Sequence, residues 1–244
     1  MADKKNYEPA DAQGKKFVER VLGKYLWLSQ NGDPTYQLAL LHMSTELARP
    51  TTRTVEAAKR IVGYAEKHPN RGILYRASDM ILTIQSDASH HSLEGARSVA
   101  GGIFYLTDKN DHPEKLNGSV DTLCKVVDQS VCASASESEY ATLYMNGQRG
   151  CHPRVILHEL GYAQPPTTIY TDNIVAKGIA HDEVTLRRSK SVHTRYHWIR
   201  DRVRQNQYII KYLKGTKLDA DFFTKPQPPI KQKHFSSRLV VPTA

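Results

Sequence analysis

Apolar residues recur at helical spacing in the first part of the chain, between residues 15 and 74. One helix is predicted at 35–48, ending before Pro50, and another follows it from about residue 52. The second helix places its apolar residues on one face: Val55, Ala58, Ile61, Val62 and Ala65. The turn formers of 69–72 end this region. The pattern therefore predicts an N-terminal region built from helices without strong strand signals.

Short apolar runs typical of strands follow this turn. In chain order they are ILYRASD, MILTIQSD, SVAGGIFYL, VDTLCKVV, TTIYTD and QYIIKYL. The adjacent Gly101 and Gly102 indicate a bulge or a close backbone approach within the third run.

Helical segments separate the later strand-like runs. We predict a helix near Glu137, capped by Ser134 or Ser136, a break before Pro153 and then a second helix. Further helices are predicted at NIVAKGIAHD, at 189–205 and, finally, at LDADFFTK. Strands first, and then helices alternating with strands, predict an α/β fold in which helices flank a mixed sheet.

These patterns divide the chain into four parts. They are a disordered polar lead-in at 1–15, a helical tether at 16–75, an α/β domain at 76–226 and a C-terminal tail at 227–244. We find no internal repeat. The polar start, which carries both charge signs, is unlike a secretory signal or a transit peptide.

Composition narrows the class of protein. Hydrophobic residues make up 39% of the 244 and charged residues 24%, which fits a soluble globular protein. No stretch approaches the roughly 18–20 apolar residues of a membrane span. The three cysteines form no C-x-x-C pair, and we expect reduced thiols in an intracellular chain. The formal net charge of +9 favours a polyanionic partner.

Four acidic residues are the candidate chemistry. Asp87 and Asp172 end apolar strand-like runs, whereas Glu139 and Asp221 lie on helix-like segments. Carboxylates in such contexts can build a site for hard divalent cations, and two ions about 3.5–4 Å apart can clamp the attacking and leaving oxygens of a phosphodiester. The alternative is that these acids are caps or solvated turn residues. Spacing alone leaves both interpretations open.

Five sequence blocks, in order, resemble the RNase H domain of copia-type LTR retrotransposon Pol polyproteins. They are Ser86-Asp87-Ala88, Ser136-Glu137-Ser138-Glu139-Tyr140, Thr171-Asp172-Asn173, Arg188-Ser189-Lys190 with Arg195-Tyr196-His197-Trp198-Ile199-Arg200, and Asp219-Ala220-Asp221-Phe222-Phe223-Thr224-Lys225-Pro226. The preceding segment AAKRIVGYAEKHPNRGILY resembles the connection between polymerase and RNase H in those polyproteins. The resemblance covers roughly residues 17–231.

The resemblance implies an RNase H-like five-stranded mixed sheet and a two-metal ribonuclease H. Such an enzyme cuts the RNA strand of RNA–DNA hybrids during reverse transcription and leaves 5′-phosphate and 3′-hydroxyl ends. Asp87, Glu139, Asp172 and Asp221 would be the catalytic residues and would hold two Mg²⁺ ions, for which Mn²⁺ could substitute. Glu137 is the rival of Glu139, and Asp219, a predicted helix N-cap, is the rival of Asp221.

The resemblance also implies recognition of the hybrid duplex by shape and phosphate contacts. The predicted nucleic-acid-binding residues are Asn173, Arg187, Arg188, Lys190 and Arg195; the basic ones could equally form a solvated helix face. Ser191 and His193 replace the family's usual His and Asp. His193 and His197 have the i, i+4 spacing of a metal pair, but surface histidines are the simpler interpretation.

Two other functions stay open. One is a catalytically silent or domesticated nucleic-acid-binding fragment of a retroelement polyprotein, and the other is a nuclease or transposase-integrase of related fold. The polymerase motif Tyr-x-Asp-Asp is absent, so DNA synthesis is not expected, although the polymerase portion of a reverse transcriptase is a possible partner. A mobile-element origin implies activity in cytoplasmic virus-like particles, in the nucleus or in both, with no membrane partner.

Overall fold

The computed structural model describes residues 7–109, 116–127, 131–184 and 194–242. Over these residues the helices are α1 (Ala12–Asn31), α2 (Gln37–Thr45), α3 (Thr52–Lys67), α4 (Ala135–Glu159), α5 (Ile174–Ala180), α6 (Trp198–Arg204) and α7 (Pro229–Leu239). The strands are β1 (Arg71–Gly72), β2 (Ile81–Leu93), β3 (Arg97–Thr107), β4 (Ser119–Val126), β5 (Thr167–Thr171), β6 (Tyr208–Tyr212) and β7 (Val241–Pro242). The chain divides into two compact units, Met1–Ile73 with Val240–Ala244, and Leu74–Leu239.

The first unit is a small bundle of α1, α2 and α3, which confirms the predicted helical region. Its core contains Val18, Leu40 and Ala58, all without solvent exposure. Helix α1 begins inside the predicted disordered lead-in, because the Asp11 carboxylate accepts a hydrogen bond from the Gly14 amide at 2.7 Å and caps the helix. The short strands β1 and β7 pair antiparallel within this unit.

The second unit is built on a five-stranded sheet in the order β4-β3-β2-β5-β6. Strands β4, β3 and β2 are antiparallel neighbours, whereas β5 runs parallel to both β2 and β6. Apolar residues of the central strands, such as Ile84 and Ile169, form one core with Leu143 of α4. The predicted mixed sheet flanked by helices is confirmed.

Helix α4 corrects the prediction of a break at Pro153, since it continues through this residue to Glu159. Proline removes one backbone donor and usually interrupts a helix. Here the turn after the proline is held by other contacts: Leu157 is buried, and the Arg154 guanidinium donates to the Thr167 hydroxyl at 2.8 Å and to the Gln164 carbonyl at 3.1 Å. Tertiary contacts therefore outweigh the local rule.

The strand predicted at ILYRASD is wrong, because residues 73–80 form no strand. The side chain of Asn117 takes the place of a strand partner at this position. Its Oδ1 accepts from the Arg76 amide at 2.8 Å, and its Nδ2 donates to the Arg76 carbonyl at 3.0 Å. This one amide side chain satisfies the backbone N–H and C=O groups of Arg76, which a neighbouring β-strand would otherwise pair.

The helix predicted at 189–205 can be compared with the structure only from residue 194 onward, since residues 185–193 lie outside the described residues. The described part starts with a 3-10 turn, Thr194–His197, and continues as α6. The last predicted short helix is also a 3-10 turn, Asp219–Phe223.

The predicted C-terminal tail is instead largely helical, because α7 buries Phe235 and Leu239. Arg238 of this helix donates to both carboxylate oxygens of Asp219, at 2.8 and 2.9 Å. This ion pair also corrects the predicted role of Asp219 as an N-cap, since Leu218 precedes the turn and Asp219 makes no side-chain cap. A cation that lies 19 residues away in sequence decides the role of this carboxylate.

Gly102 confirms the predicted close backbone approach: a Cβ atom placed there would overlap the Asn146 amide of α4. That amide donates to the Ser86 hydroxyl and to the Gly101 carbonyl, which ties the helix to the sheet. We expect Gly102→Ala to lower the free energy of unfolding by about 2 kcal/mol or more through overpacking. Gly63→Ala in α3, where a Cβ meets nothing within 4 Å, should instead raise it by about 0.5–1 kcal/mol. Urea denaturation of both variants measures the contrast, and equal effects would contradict it.

Candidate metal centre

Two of the predicted carboxylates meet because their strands are parallel neighbours. Strands β2 and β5 pair Thr83 with Thr168 and Gln85 with Tyr170. Continuing this register, Asp87 of β2 reaches the level of Asp172, which follows the last residue of β5. Asp87 does not end its strand as predicted, since β2 continues to Leu93, but the parallel register places it at the same level as Asp172 on the neighbouring strand, so these two acids lie together.

Glu139 joins them from the first turns of α4. Ser134 caps this helix by accepting a hydrogen bond from the Glu137 amide at 3.1 Å, which fixes where the helix starts. One oxygen of each of Asp87, Glu139 and Asp172 then lies within 4.8 Å of the others. Residues far apart in sequence form a single anionic cluster, as the sequence analysis predicts.

The cluster is electrostatically costly without a cation. Asp87 is 1% and Glu139 7% exposed, and burial raises the pKa of Asp87 to about 7. Burial, followed by repulsion from Asp87 and Asp172, also raises the pKa of Glu139, and burial raises that of Asp172. The Glu139 Oε2 atom is buried and accepts no hydrogen bond from the described residues. Buried, unpaired oxygen donors of this kind fit a hard divalent cation such as Mg²⁺.

Asp221 lies beside this cluster rather than within it. It belongs to the 3-10 turn Asp219–Phe223, and its Oδ2 accepts from the Gln227 side chain at 2.7 Å. Its Oδ1 accepts from the Lys225 ammonium, also at 2.7 Å. Its negative charge still raises the pKa values of Asp87 and Asp172. The structure thus brings three of the four predicted residues together and places the fourth next to them.

Thr224 and Lys225 also contact the cluster, although the sequence pattern predicts no role for either of them. The buried Thr224 hydroxyl donates a short hydrogen bond to Asp87 Oδ2, and the Lys225 Nζ lies 3.6 Å from the same oxygen. The available signal was the i, i+4 spacing of Asp221 and Lys225, which places an acid and a base on one helical face.

Two glycines leave room for these contacts. Gly101 is paired with Asp87 across β2 and β3, and a Cβ placed on it would lie 2.6 Å from the Thr224 side chain. A Cβ placed on Gly215 would lie 2.6 Å from Asp172 Oδ2. Both distances are below van der Waals contact, so larger residues at these positions would displace the groups that surround the carboxylates.

Glu137 has a different role from Glu139. Its Oε2 accepts a hydrogen bond from the Ala133 amide at 2.7 Å, just before the helix starts. An acid at this position also interacts favourably with the helix dipole. Residues i and i+2 of a helix do not share a face, which explains why only Glu139 points to Asp87.

The predicted nucleic-acid-binding residues are only partly described. Arg187, Arg188 and Lys190 lie outside the described residues, and the structure describes Arg195 only as part of the turn Thr194–His197. Asn173 follows Asp172 and caps α5, since its Oδ1 accepts from the Ala176 amide at 2.8 Å. Their role in binding stays a prediction.

Three of the chain's histidines lie near the first turns of α4 or its Tyr140 side chain. His193 lies outside the described residues, whereas the His197 ring is 3.3 Å from the Tyr140 hydroxyl. His90 and His91 stack at 3.6 Å between ring centroids. Burial, followed by the charge of His91, lowers the pKa of His90, whose Nδ1 is 2.7 Å from the Ser138 hydroxyl.

Among the described residues, no helix combines the length and the apolar composition needed to cross a bilayer. No protein-family model matches the chain. It is 27% identical over 212 residues to the retrovirus-related Pol polyprotein from transposon RE1 of Arabidopsis thaliana. The aligned region covers 85% of this chain and 14% of that protein. It is 25% identical over 187 residues to the Pol polyprotein from transposon TNT 1-94 of Nicotiana tabacum, covering 76% of this chain and 13% of the relative. The chain thus spans about one seventh of these relatives, and the predicted resemblance to copia-type Pol polyproteins is confirmed.

Solved structures also resemble this chain. The foamy viral protease-reverse transcriptase in complex with RNA/DNA hybrid matches with a TM-score of 0.51 and 12% identity, over 89% of this chain and 28% of that one. The N-terminal RNase H domain of a Mycobacterium tuberculosis protein matches with a TM-score of 0.37 and 10% identity, over 65% of this chain and 97% of that one. At such identities the likeness concerns the fold alone, and the RNase H-like fold class predicted from the sequence is confirmed.

Proposed function

We propose that this chain is a metal-dependent ribonuclease H that hydrolyses the RNA strand of RNA–DNA hybrids during retroelement reverse transcription. The observation that carries the proposal is the cluster of Asp87, Glu139 and Asp172, whose oxygens lie within 4.8 Å of one another beside the neighbouring strands β2 and β5. Similarity to Pol polyproteins of transposons RE1 and TNT 1-94 supports the retroelement setting. Cytoplasmic virus-like particles and the nucleus are the proposed places of action.

Asp87, Glu139 and Asp172 would hold divalent metal ions, with Asp221 completing the set. When bound by these carboxylates, two Mg²⁺ ions would supply activation of a water nucleophile at neutral pH and charge stabilisation of the leaving 3′ oxygen. The carboxylates would orient the reacting phosphodiester by fixing the positive charge beside β2 and β5. We infer 5′-phosphate and 3′-hydroxyl products, with Mn²⁺ able to replace Mg²⁺.

The substrate would be bound chiefly through its backbone. The formal charge of +9 favours association with a polyanion. The foamy viral protease-reverse transcriptase that this chain resembles was solved in complex with an RNA/DNA hybrid, which supports the same class of ligand for this chain. The proposed substrate contacts are Asn173, next to Asp172, and the basic residues Arg187, Arg188, Lys190 and Arg195. An upstream polymerase portion would add further contacts to the hybrid.

A catalytically silent nucleic-acid-binding fragment is the alternative function. The presence of all four carboxylates argues against it, because a binding role gives no reason to keep buried acids whose pKa values are raised by burial. A nuclease or integrase acting on DNA is the other alternative.

Incubating the purified chain with end-labelled RNA–DNA hybrid and Mg²⁺ separates these functions. We expect cleavage of the RNA strand, loss of cleavage in EDTA and loss in Asp172→Asn. Matched double-stranded DNA and double-stranded RNA serve as controls. Tight hybrid binding without cleavage in either Mg²⁺ or Mn²⁺ would favour the catalytically silent fragment. Cleavage of the DNA duplex would favour a nuclease or integrase that acts on DNA.

A further inference from the structure

The Lys225 ammonium lies between two of the carboxylates that are expected to hold metal. Its Nζ is 2.7 Å from Asp221 Oδ1 and 3.6 Å from Asp87 Oδ2. The Asp87 side chain is 1% exposed, whereas that of Lys225 is 47% exposed. A half-exposed cation therefore reaches from the solvent side to a buried anion.

The surrounding contacts hold the lysine at this place. The Lys225 amide donates to the Asp221 carbonyl at 3.3 Å, which keeps both residues on one turn. The Gln227 side chain holds Asp221 Oδ2 at 2.7 Å and leaves Oδ1 for the ammonium. Burial lowers the pKa of Lys225, but the charges of Asp87, Asp221 and Asp172 and the hydrogen bond to Asp221 together outweigh it and raise this pKa, so the side chain stays protonated at neutral pH.

A divalent ion between Asp87 and Asp221 would compete with this ammonium. Mg²⁺ binds oxygens at about 2.0–2.1 Å, closer than the lysine nitrogen lies to either carboxylate. Two cations that use the same oxygens would be only a few ångströms apart and would repel each other. The flexible, half-exposed lysine stem allows the ammonium to move into solvent when the ion arrives.

We propose that Lys225 is a built-in counter-cation, which occupies the place between Asp87 and Asp221 in the metal-free protein and must leave when a divalent ion binds there. The inference rests on the proposed function in so far as the carboxylates bind metal. It explains how four acids are tolerated together before metal arrives, and it makes metal affinity depend on a residue that is not a ligand.

Mn²⁺ binding in the absence of nucleic acid tests this proposal, with free Mn²⁺ measured by electron paramagnetic resonance. We expect Lys225→Met to bind Mn²⁺ about tenfold more tightly than the unchanged chain, since one competing charge is removed. Lys225→Arg keeps the charge and should not show this gain. Lys125→Met is the control for net charge, because Lys125 is exposed on β4, separated from β2 by the whole of β3.

A second measurement checks that the effect acts through Asp221. In an Asp221→Asn background the lysine has lost its closest anion, so Lys225→Met should gain clearly less than tenfold. An equal gain in both backgrounds, or no gain in the unchanged background, would overturn the proposal. Thermal unfolding in EDTA gives a further readout: Lys225→Met should melt below the unchanged chain, and saturating Mn²⁺ should remove the difference.

These outcomes separate the inference from the ribonuclease proposal. Hybrid cleavage by the unchanged chain, together with unaltered Mn²⁺ affinity in Lys225→Met, would sink the inference alone. Tighter Mn²⁺ binding in Lys225→Met, together with no hybrid cleavage in any metal, would sink the ribonuclease proposal alone. Absence of Mn²⁺ binding in all variants would sink both.

Discussion

Glu139→Gln is expected to lower the rate of hybrid cleavage by about 1000-fold or more, equivalent to about 4 kcal/mol of transition-state stabilisation. The amide is nearly the same size as the carboxylate but carries no charge, so it is a poor partner for a divalent ion. Glu139 is 7% exposed and its Oε2 accepts no hydrogen bond within the described parts of the chain, so the substitution should be tolerated by the fold. Single-turnover kinetics with saturating hybrid and Mg²⁺ measure the rate.

Glu137→Gln is the matched control, because this acid lies two residues earlier on the same helix and is equally buried. Its Oε2 accepts a hydrogen bond from the Ala133 amide, so its loss affects the helix start rather than the cluster. We expect cleavage within about threefold of the unchanged chain and a loss of roughly 0.5–2 kcal/mol in stability. Equal loss of activity in both variants, or a larger loss in Glu137→Gln, would show that the assignment of Glu139 is wrong.

The sequence predicts the carboxylate cluster because its members lie at positions that patterns can locate. Asp87 and Asp172 follow apolar runs, and the parallel pairing of β2 with β5 brings the two positions to the same level of the sheet, although β2 continues beyond Asp87. Periodicity also finds α3, whose buried Ala58 and Ile61 share the predicted face. Where the local pattern and the tertiary packing agree, the sequence is sufficient to predict the element and the face that it buries.

Other features depend on partners that no local pattern reveals. The α4 helix passes Pro153 because Arg154 binds the loop that leads to β5. Helix α7 forms where a tail is predicted, because Phe235 packs 5.9 Å from Phe222 between ring centroids and Arg238 pairs with Asp219. These contacts join segments that are separated by ten to twenty residues, which is beyond the range of periodicity or capping rules.

The contacts of Thr224 and Lys225 show the same limit within the candidate site. Both residues follow Asp221 in the closing block, yet only the fold shows that Thr224 donates to Asp87, which lies 137 residues earlier. Sequence spacing links Lys225 to Asp221, but not to Asp87. The identity of the acids was therefore predictable, whereas the groups that compensate their charge were not.

The metal-free protein is expected to lose stability as the pH rises from about 5 to 8. Burial raises the pKa of Asp87 in the folded state to about 7 from an ordinary value of 3.8, and it also raises those of Glu139 and Asp172. Between these values the folded state binds more protons than the unfolded state, so unfolding becomes more favourable with increasing pH. Lys225 and Thr224 oppose the shift of Asp87, while the charges of Asp221 and Asp172 reinforce it.

Each pKa unit corresponds to about 1.4 kcal/mol, and each kcal/mol to about 2–4 °C in the melting temperature of a domain of this size. We therefore expect the melting temperature in EDTA to fall by at least about 5 °C over this range. Asp87→Asn should reduce the fall, because it removes one of the acids whose pKa is raised by burial. Asp182→Asn should leave the fall unchanged, since hydrogen bonding by Arg204 lowers the pKa of Asp182 and its titration ends below pH 5.

Saturating Mg²⁺ should weaken or reverse this dependence, because metal ions bind the deprotonated carboxylates and compete with protons. Differential scanning calorimetry at pH 5, 6.5 and 8, with EDTA or with Mg²⁺, measures both curves. A melting temperature in EDTA that does not change with pH would mean that ionising the cluster does not lower the free energy of unfolding. It would remove the electrostatic reason for a metal at this site. A fall in EDTA that Mg²⁺ suppresses would instead join the burial of these acids to the ion they are proposed to hold.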